Sequence, residues 1–431
     1  MLKRKNIILS GLIINLAFTS LIQFGSFVFE YQSNRNNKLK AKSNLTGDSW
    51  NISFDFYGLE MDIDINGCIY VLAAENYYFG LPDNYYGDLI LLRYNSSGEQ
   101  LWKIDLEGLK LDYSKIVVDS KSNLYLASKY VNQTLVPNML LFKFNSSGDL
   151  IWQKVLEDGR YRDIIDLEVD SEDNVYIYGT SYLEEEYKVD IFIAKYNNSG
   201  DQQWLYQYGD IEKNFEGWDM EIDSNNNFII SGYEFLLGGD VQHWMRYYNQ
   251  SGNMKWEISS ESGGYFILAV DSSNYVIVGQ KSFISKYNVS GNLIWPWQHN
   301  IEYYWSIKIA LDSSDNVYIG SSISIPSDHH TYDLYVVKIN SSGIFDWYLT
   351  WGGSGNEDLI AIEFDSNDNF YVLSDNFLIK NPESNGKSLT AENLWNFYIV
   401  LFFICFIISL SSLFFILKRK NKERTIDKID Q

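Results

Sequence analysis

The stretch YVVKINSSGIFDWYLTWGG at 335–353 recurs in weaker form along most of the chain. The copies are RYNSSGEQLW (93–102), KFNSSGDLIW (143–152), KYNNSGDQQW (195–204), YYNQSGNMKW (247–256) and KYNVSGNLIW (286–295). Their tryptophans, Trp102, Trp152, Trp204, Trp256, Trp295 and Trp347, stand 39 to 52 residues apart, and Trp50 falls 52 before Trp102. A second landmark runs in phase: Asp64, Asp119, Asp170, Asp223, Asp271, Asp312 and Asp365 each open a polar turn between two apolar runs. A fixed period of this size marks a repeat architecture.

Each repeat reads as four short strands, A to D. In the sixth, strand A covers 306–312, B 316–321, C 333–340 and D 345–351. Four strands per repeat of ~40–50 residues is the pattern of a β-propeller blade. A solenoid of parallel strands is the rival, but it lacks tight antiparallel hairpin turns. Six A–D sets run from 59 to 353. One A–B–C set follows at 359–365, 369–374 and 376–380 and has no strand D, while 48–54 supplies a strand D with no A–C before it. Joined, the two fragments make a seventh blade and close the ring without a free edge. The fifth blade is short because its B–C loop is nearly absent between 279 and 283. The fold expected is all-β: a seven-bladed β-propeller of four-stranded antiparallel blades over 48–380.

The succession DSSDNVYIG, VVKINSSGIFDW and WGGSGNEDLIAIEFD resembles the SBBP-type seven-bladed propeller repeat of bacterial and archaeal surface proteins. The resemblance covers about 59–379. It implies a fold and an extracellular setting, and it carries no catalytic residue set. The first copy departs from the pattern at 64–68, and the fifth drops a residue in its A–B turn.

The ends carry a different message. Residues 1–30 join a basic start to an apolar run and read as a signal peptide or signal anchor, with 31–47 as a linker. Residues 381–394 form a short polar linker. Residues 395–417 are uncharged and long enough for a transmembrane helix, and the basic tail 418–431 places the C-terminus in the cytoplasm. The expected location is therefore the cell membrane, single-pass or two-pass, with the propeller extracellular. Formal charge is −22 overall; 1–42 carries +6 and 391–431 carries +2, leaving −30 on 43–390. Such a field repels phosphate backbones, which sets nucleic acid aside as a partner. Cys68 and Cys405 cannot build a disulfide framework.

Four groups of residues invite a chemical reading. The turns opened by Asp170, Asp312 and Asp365 look like the start of a calcium loop, but they lack its central Gly and distal Glu; Asx-turn chemistry explains them as well. They stand as weak metal candidates, and Ca2+ as the one cofactor considered. Asn44, Asn51, Asn95, Asn132, Asn145, Asn197, Asn249, Asn288 and Asn340 each begin N-x-S/T, a glycan acceptor on an exported chain; six of them also form the C–D turn. One tryptophan per blade reads as inter-blade packing rather than a ligand cage. His329 and His330, the only adjacent pair among four histidines, could hold a ligand or metal, with a solvated loop as the bland alternative.

Topology then selects a face. The A–B and C–D turns share one end of the ring, and the variable B–C and D–A loops share the other, where function concentrates. There Tyr77, Tyr78, Tyr85, Tyr86, Trp218 and Tyr332 lie among Asp83, Glu184 and Glu185. This set suits stacking on sugars or on basic groups, against the plain alternative of loop aromatics in a Tyr-rich chain. No nucleophile–base pair and no phosphate-cradling glycine loop is present. The expectation is a membrane-anchored, non-catalytic binding or adhesion module for a glycan, envelope component or protein ligand. The alternatives are a structural part of a surface layer or envelope complex and, less favoured, an exported propeller lyase or quinone-dependent dehydrogenase. Both tethers are expected to leave from the turn face, so that the loop face looks outward.

Overall fold

A computed structural model describes residues 49–382, apart from loop segments 81–83, 107–108, 110–113, 132–136, 157–159, 183–187, 211–212, 236–239, 261–263, 281–282, 299–306, 325–331 and 353–355. The expected signal segment, first linker, membrane helix and tail lie outside these residues, as does the second linker beyond 382. Within them, twenty-eight strands form seven four-stranded antiparallel sheets. The inner strands A are Tyr57–Ile63, Lys115–Val118, Tyr161–Val169, Asn214–Ile222, Ile267–Val270, Ile307–Leu311 and Leu359–Phe364. Each touches the next, and the seventh touches the first, so the ring closes. Strand Trp50–Ser53 pairs with Phe377–Lys380 and completes the seventh blade, as the fragment count requires. The fifth blade has the short strands Val276–Gln280 and Phe283–Tyr287.

The core is divided rather than single. Seven apolar clusters are present among the described residues, one at each blade junction. The near-continuous apolar runs of strands B and C produce this arrangement, because each sheet has both faces covered by its neighbours. Each fully buried Leu, Ile, Val or Phe contributes about 1.5–3 kcal/mol, so the blades are held together mainly by what lies between them.

The two recurrent turns add polar stitching. In the A–B turn the first Asp accepts the amides two and four residues on, as Asp170 Oδ1 does from Glu172 at 3.0 Å and Asn174 at 2.9 Å. The fourth residue adopts positive φ (Asp173, 61°; Asp315, 58°), which Asp and Asn tolerate better than most residues. Its carboxylate or amide oxygen then accepts from the serine of the preceding blade: Ser171 to Asn226, Ser224 to Asn274, Ser272 to Asp315, Ser313 to Asp368. Ser120–Asp173, Asn66–Ser122 and Ser366–Ile65 supply the remaining junctions. The D-S-x-D-N motif is thus a hydrogen-bonded hoop around one end of the ring.

The C–D turn works the same way with the tryptophans. Trp50, Trp102, Trp152, Trp256 and Trp295 each donate Nε1–H to a carbonyl in the C–D turn of the next blade, at 3.0–3.2 Å. The turn glycine lies against the indole, and the space left for a Cβ varies: Gly343, at φ +81°, is the tightest of those facing Trp and Gly148 the loosest. In the third blade Tyr206 covers Gly252 and reaches Ser251 O in place of Trp204, while Trp204 keeps the edge contact with Tyr176 that Trp50, Trp102 and Trp152 make with their own strand-B tyrosines.

Candidate functional site

The B–C and D–A face carries two stacked aromatic pairs. Trp218 and Tyr265 lie face to face, with ring centroids 3.6 Å apart and planes 5° apart. Trp218 sits at a β-bulge between Gly217 and Asp219 in the inner strand, and a bulge re-aims a side chain. Gly217 is needed there, because a Cβ would meet the Tyr178 ring at 2.8 Å. Tyr233 lies 5.6 Å from Tyr265, and His243 meets Tyr265 edge-on at 5.4 Å. Tyr265 and Phe235 remain exposed. The second pair, Tyr57 and Tyr77, stacks at 4.1 Å in the first blade. By blade order the two pairs stand on opposite sides of the channel.

Burial dominates the electrostatics of the larger cluster. Burial, and then the hydrogen bond given to Glu216, push the Tyr233 hydroxyl well above its usual range. Burial lowers the His243 pKa, which keeps the imidazole neutral at pH 7.

Of the residues singled out from sequence, Trp218 and Tyr77 belong to these pairs. Tyr332 is half-buried, and its backbone is pinned to the seventh blade by Asn356 and Glu357. Tyr78, Tyr85 and Tyr86 pair in the first-blade hairpin by backbone register, but their side chains, like Asp83, Glu184, Glu185, His329 and His330, lie outside the described residues. Sequence reading missed Tyr57, Tyr233, His243 and Tyr265. The available signal was an aromatic five or six residues before the turn Asp in adjacent blades, in FEGWDMEID and SGGYFILAVD.

The metal candidates have protein partners for both carboxylate oxygens. Asp170 Oδ2 accepts from Lys195 Nζ at 2.8 Å, and Asp312 Oδ2 faces Lys338 Nζ at 3.3 Å. Asp365 Oδ2 takes Asn369 at 2.7 Å and the Tyr371 hydroxyl at 3.1 Å. Hydrogen bonding outweighs burial and holds all three carboxyls below their usual range. The same strand-C cation recurs as Arg93 on Asp64, Lys143 on Asp119 and Lys286 on Asp271. No group of three His, Cys, Asp or Glu among the described residues is placed to hold a metal ion. The C–D turn asparagines are half-buried, and their Oδ1 atoms accept two turn amides, as Asn145 does from Ser147 and Asp149. Asn51, on the outer strand, is exposed. Asn44 and Asn132 lie outside the described residues.

The channel itself is lined by acid. Glu60, Asp62, Asp166, Glu168, Asp219, Glu221 and Glu363 lie on inner strands with Lys115 and Lys308. Asp62, Asp166 and Asp219 accept amides of the next inner strand from Val118, Met220 and Leu268 at 2.6, 2.9 and 2.6 Å. Glu60 pairs with Lys115 at 2.5 Å. Solvent reaches these side chains along the channel, yet protein surrounds them on every side. Burial lifts Asp62 to about 7, and burial together with mutual repulsion raises Glu168, Asp219, Glu221 and Glu363 well above the usual carboxylate range.

No family model and no curated protein matches the sequence. Solved structures do match. One is a streptogramin B lyase (9% identity, 77% of this chain and 97% of that chain, TM-score 0.48). Another is the GH93 α-L-arabinofuranosidase of Fusarium graminearum with arabinobiose (10%, 69% and 99%, 0.48). A protein of unknown function from Bacteroides caccae also matches (12%, 61% and 89%, 0.39). The seven-bladed propeller rests on its own sheet connectivity, and the activities of these proteins do not pass to this chain.

Proposed function

We propose that this chain is a non-catalytic binding module of the SBBP-propeller kind. In this reading it is held at the cell membrane by residues 395–417 and takes its ligand on the B–C and D–A face. The observation that carries the proposal is the Trp218–Tyr265 stack, flanked by Tyr233 and His243 on the face of variable loops. Flat aromatic surfaces at a channel mouth suit the apolar faces of sugar rings, and the acidic surroundings suit basic groups. A glycan or envelope fragment is therefore the favoured ligand class.

The test is retention on an array of polysaccharides and envelope fragments, followed by mass analysis of the recovered ligand. Binding that fails in Trp218→Ala and returns the ligand unchanged supports the proposal. A ligand returned cleaved, or with water added or eliminated, refutes the non-catalytic part and favours the exported-enzyme alternative.

A further inference from the structure

Most of the large apolar side chains that stand exposed among the described residues lie at one end of the ring, beside the C–D turns. Leu150, Ile151, Met254, Leu293, Ile294 and Ile344 are each about half exposed or more. They come one to three residues before the strand-D tryptophan. The indole turns inward to bond the next blade, and the residues ahead of it are left on the rim where the outer strand begins. The third blade breaks the band with Gln202 and Gln203, and the seventh with Ser49. In the second and fifth blades two such residues are adjacent, and exposed apolar side chains grouped at one end rather than scattered point to an interaction site.

Both chain crossings are at the same end. Strand Trp50–Ser53 begins there, and strand Phe377–Lys380 ends there, where Asn381 bonds the backbone of Phe370. Only twelve residues separate position 382 from the apolar run 395–417. Fully extended they span at most roughly 40 Å, so an anchored propeller keeps this rim close to its own membrane. Tethering of that kind raises the effective concentration of the surface and lets a weakly apolar band engage it.

We propose that the turn-side rim is a bilayer-docking surface, its leucines and isoleucines seated at the boundary between headgroups and acyl chains. This rests on the reading of 395–417 as the anchor. Exposed acids alternate with the apolar residues on the same rim (Glu99, Asp149, Asp201, Asp346). Anionic headgroups therefore oppose docking, and a zwitterionic phosphatidylcholine surface is the one that fits. Docking leaves the aromatic pairs on the opposite face pointing away from the membrane.

The experiment uses the full-length chain with Cys68→Ser and Cys405→Ser, reconstituted in phosphatidylcholine vesicles whose acyl chains carry bromine. A bimane label is placed through Ile151→Cys, Ile294→Cys or Ile344→Cys, and through Asp240→Cys on the opposite face as the control. Melting in detergent confirms that each variant is folded. The expected result is a blue shift and loss of emission at the three rim positions and neither at 240, with weaker quenching when anionic lipid is added. Rim labels as water-exposed as position 240, in protein that resists alkaline carbonate extraction, overturn the docking and leave the anchor standing. Protein released by carbonate overturns the anchor reading and the docking with it. Rim labels shielded equally in detergent, in a species that sediments as a dimer, identify a second copy as the occupant and overturn the proposal.

Discussion

Lys143 Nζ lies 2.9 Å from Asp119 Oδ2, and both side chains are almost entirely buried. The ammonium also donates to the Tyr125 hydroxyl at 2.7 Å, sits 4.5 Å from the Tyr125 ring centre and bonds Asn198 of the next blade. Removing one partner of such a pair strands the other charge. Lys143→Met should cost about 3–5 kcal/mol in urea unfolding, and Asp119→Asn together with Lys143→Met should recover part of it. A loss under about 1 kcal/mol, the scale of an exposed pair, would show that the repeated Asp–Lys motif is not what fastens the A–B turns.

The turn glycines should rank by their contact with the indole. Gly343 and Gly148 share a left-handed backbone, at φ +81° and +87°. A Cβ at Gly343 would approach Trp295 to 2.6 Å, while at Gly148 it would find Trp102 at ordinary contact, 3.4 Å, with Ile104 at 3.2 Å. Both alanine variants pay about 1–2 kcal/mol for the backbone. Gly343→Ala should lose clearly more than Gly148→Ala. Equal losses would locate the whole penalty in the backbone.

The channel sets the direction of the pH response. Asp62, Glu168, Asp219, Glu221 and Glu363 have folded-state pKa values raised above their unfolded ones. Their contribution is full below the unfolded value of about 4 and is lost as pH rises through the raised folded values, about 7 for Asp62. Asp170, Asp173, Asp312 and Asp365 are shifted downward, and their contribution fades only as pH falls below about 4. Facing groups temper the first effect: Lys115 and Lys308 on neighbouring inner strands offset part of the repulsion. Thermal stability should therefore rise from pH 8 to a maximum near about pH 5. Glu168→Gln with Glu221→Gln should raise the melting temperature at pH 8 and flatten the slope. A melting temperature that is level or climbs from pH 5 to 8 contradicts this.

Fold and site were legible to different degrees. Blade number, strand order and ring closure followed from Trp50 to Trp347 and Asp64 to Asp365, because a repeat imposes the same hydrogen bonds at each junction and so repeats its residues. The short fifth blade was visible as a missing loop. The reason for the D-S-x-D-N motif was less visible: Ser171 and Asn226 are 55 positions apart, and their bond exists only once the ring is closed. The aromatic pairs were half legible. Trp218 and Tyr77 stood out as loop aromatics, but Tyr265 and Tyr57 join them through blade packing, which no local pattern announces. The acidic channel hid in plain strands, since Glu168 and Glu221 look like ordinary polar positions until seven inner strands face one another.

The most direct test of the binding reading is the melting temperature of the 43–390 propeller across a panel of glycans and envelope fragments, in wild type, Trp218→Ala and Tyr265→Ala. A ligand that binds only the folded state, present at a hundred times its Kd, adds about 2.7 kcal/mol. The account predicts an upward shift with at least one glycan or envelope fragment in the wild type and none in either variant, each protein compared with its own ligand-free melting temperature. A shift that survives in both variants would contradict it, because the ligand would then sit elsewhere than on the Trp218–Tyr265 face.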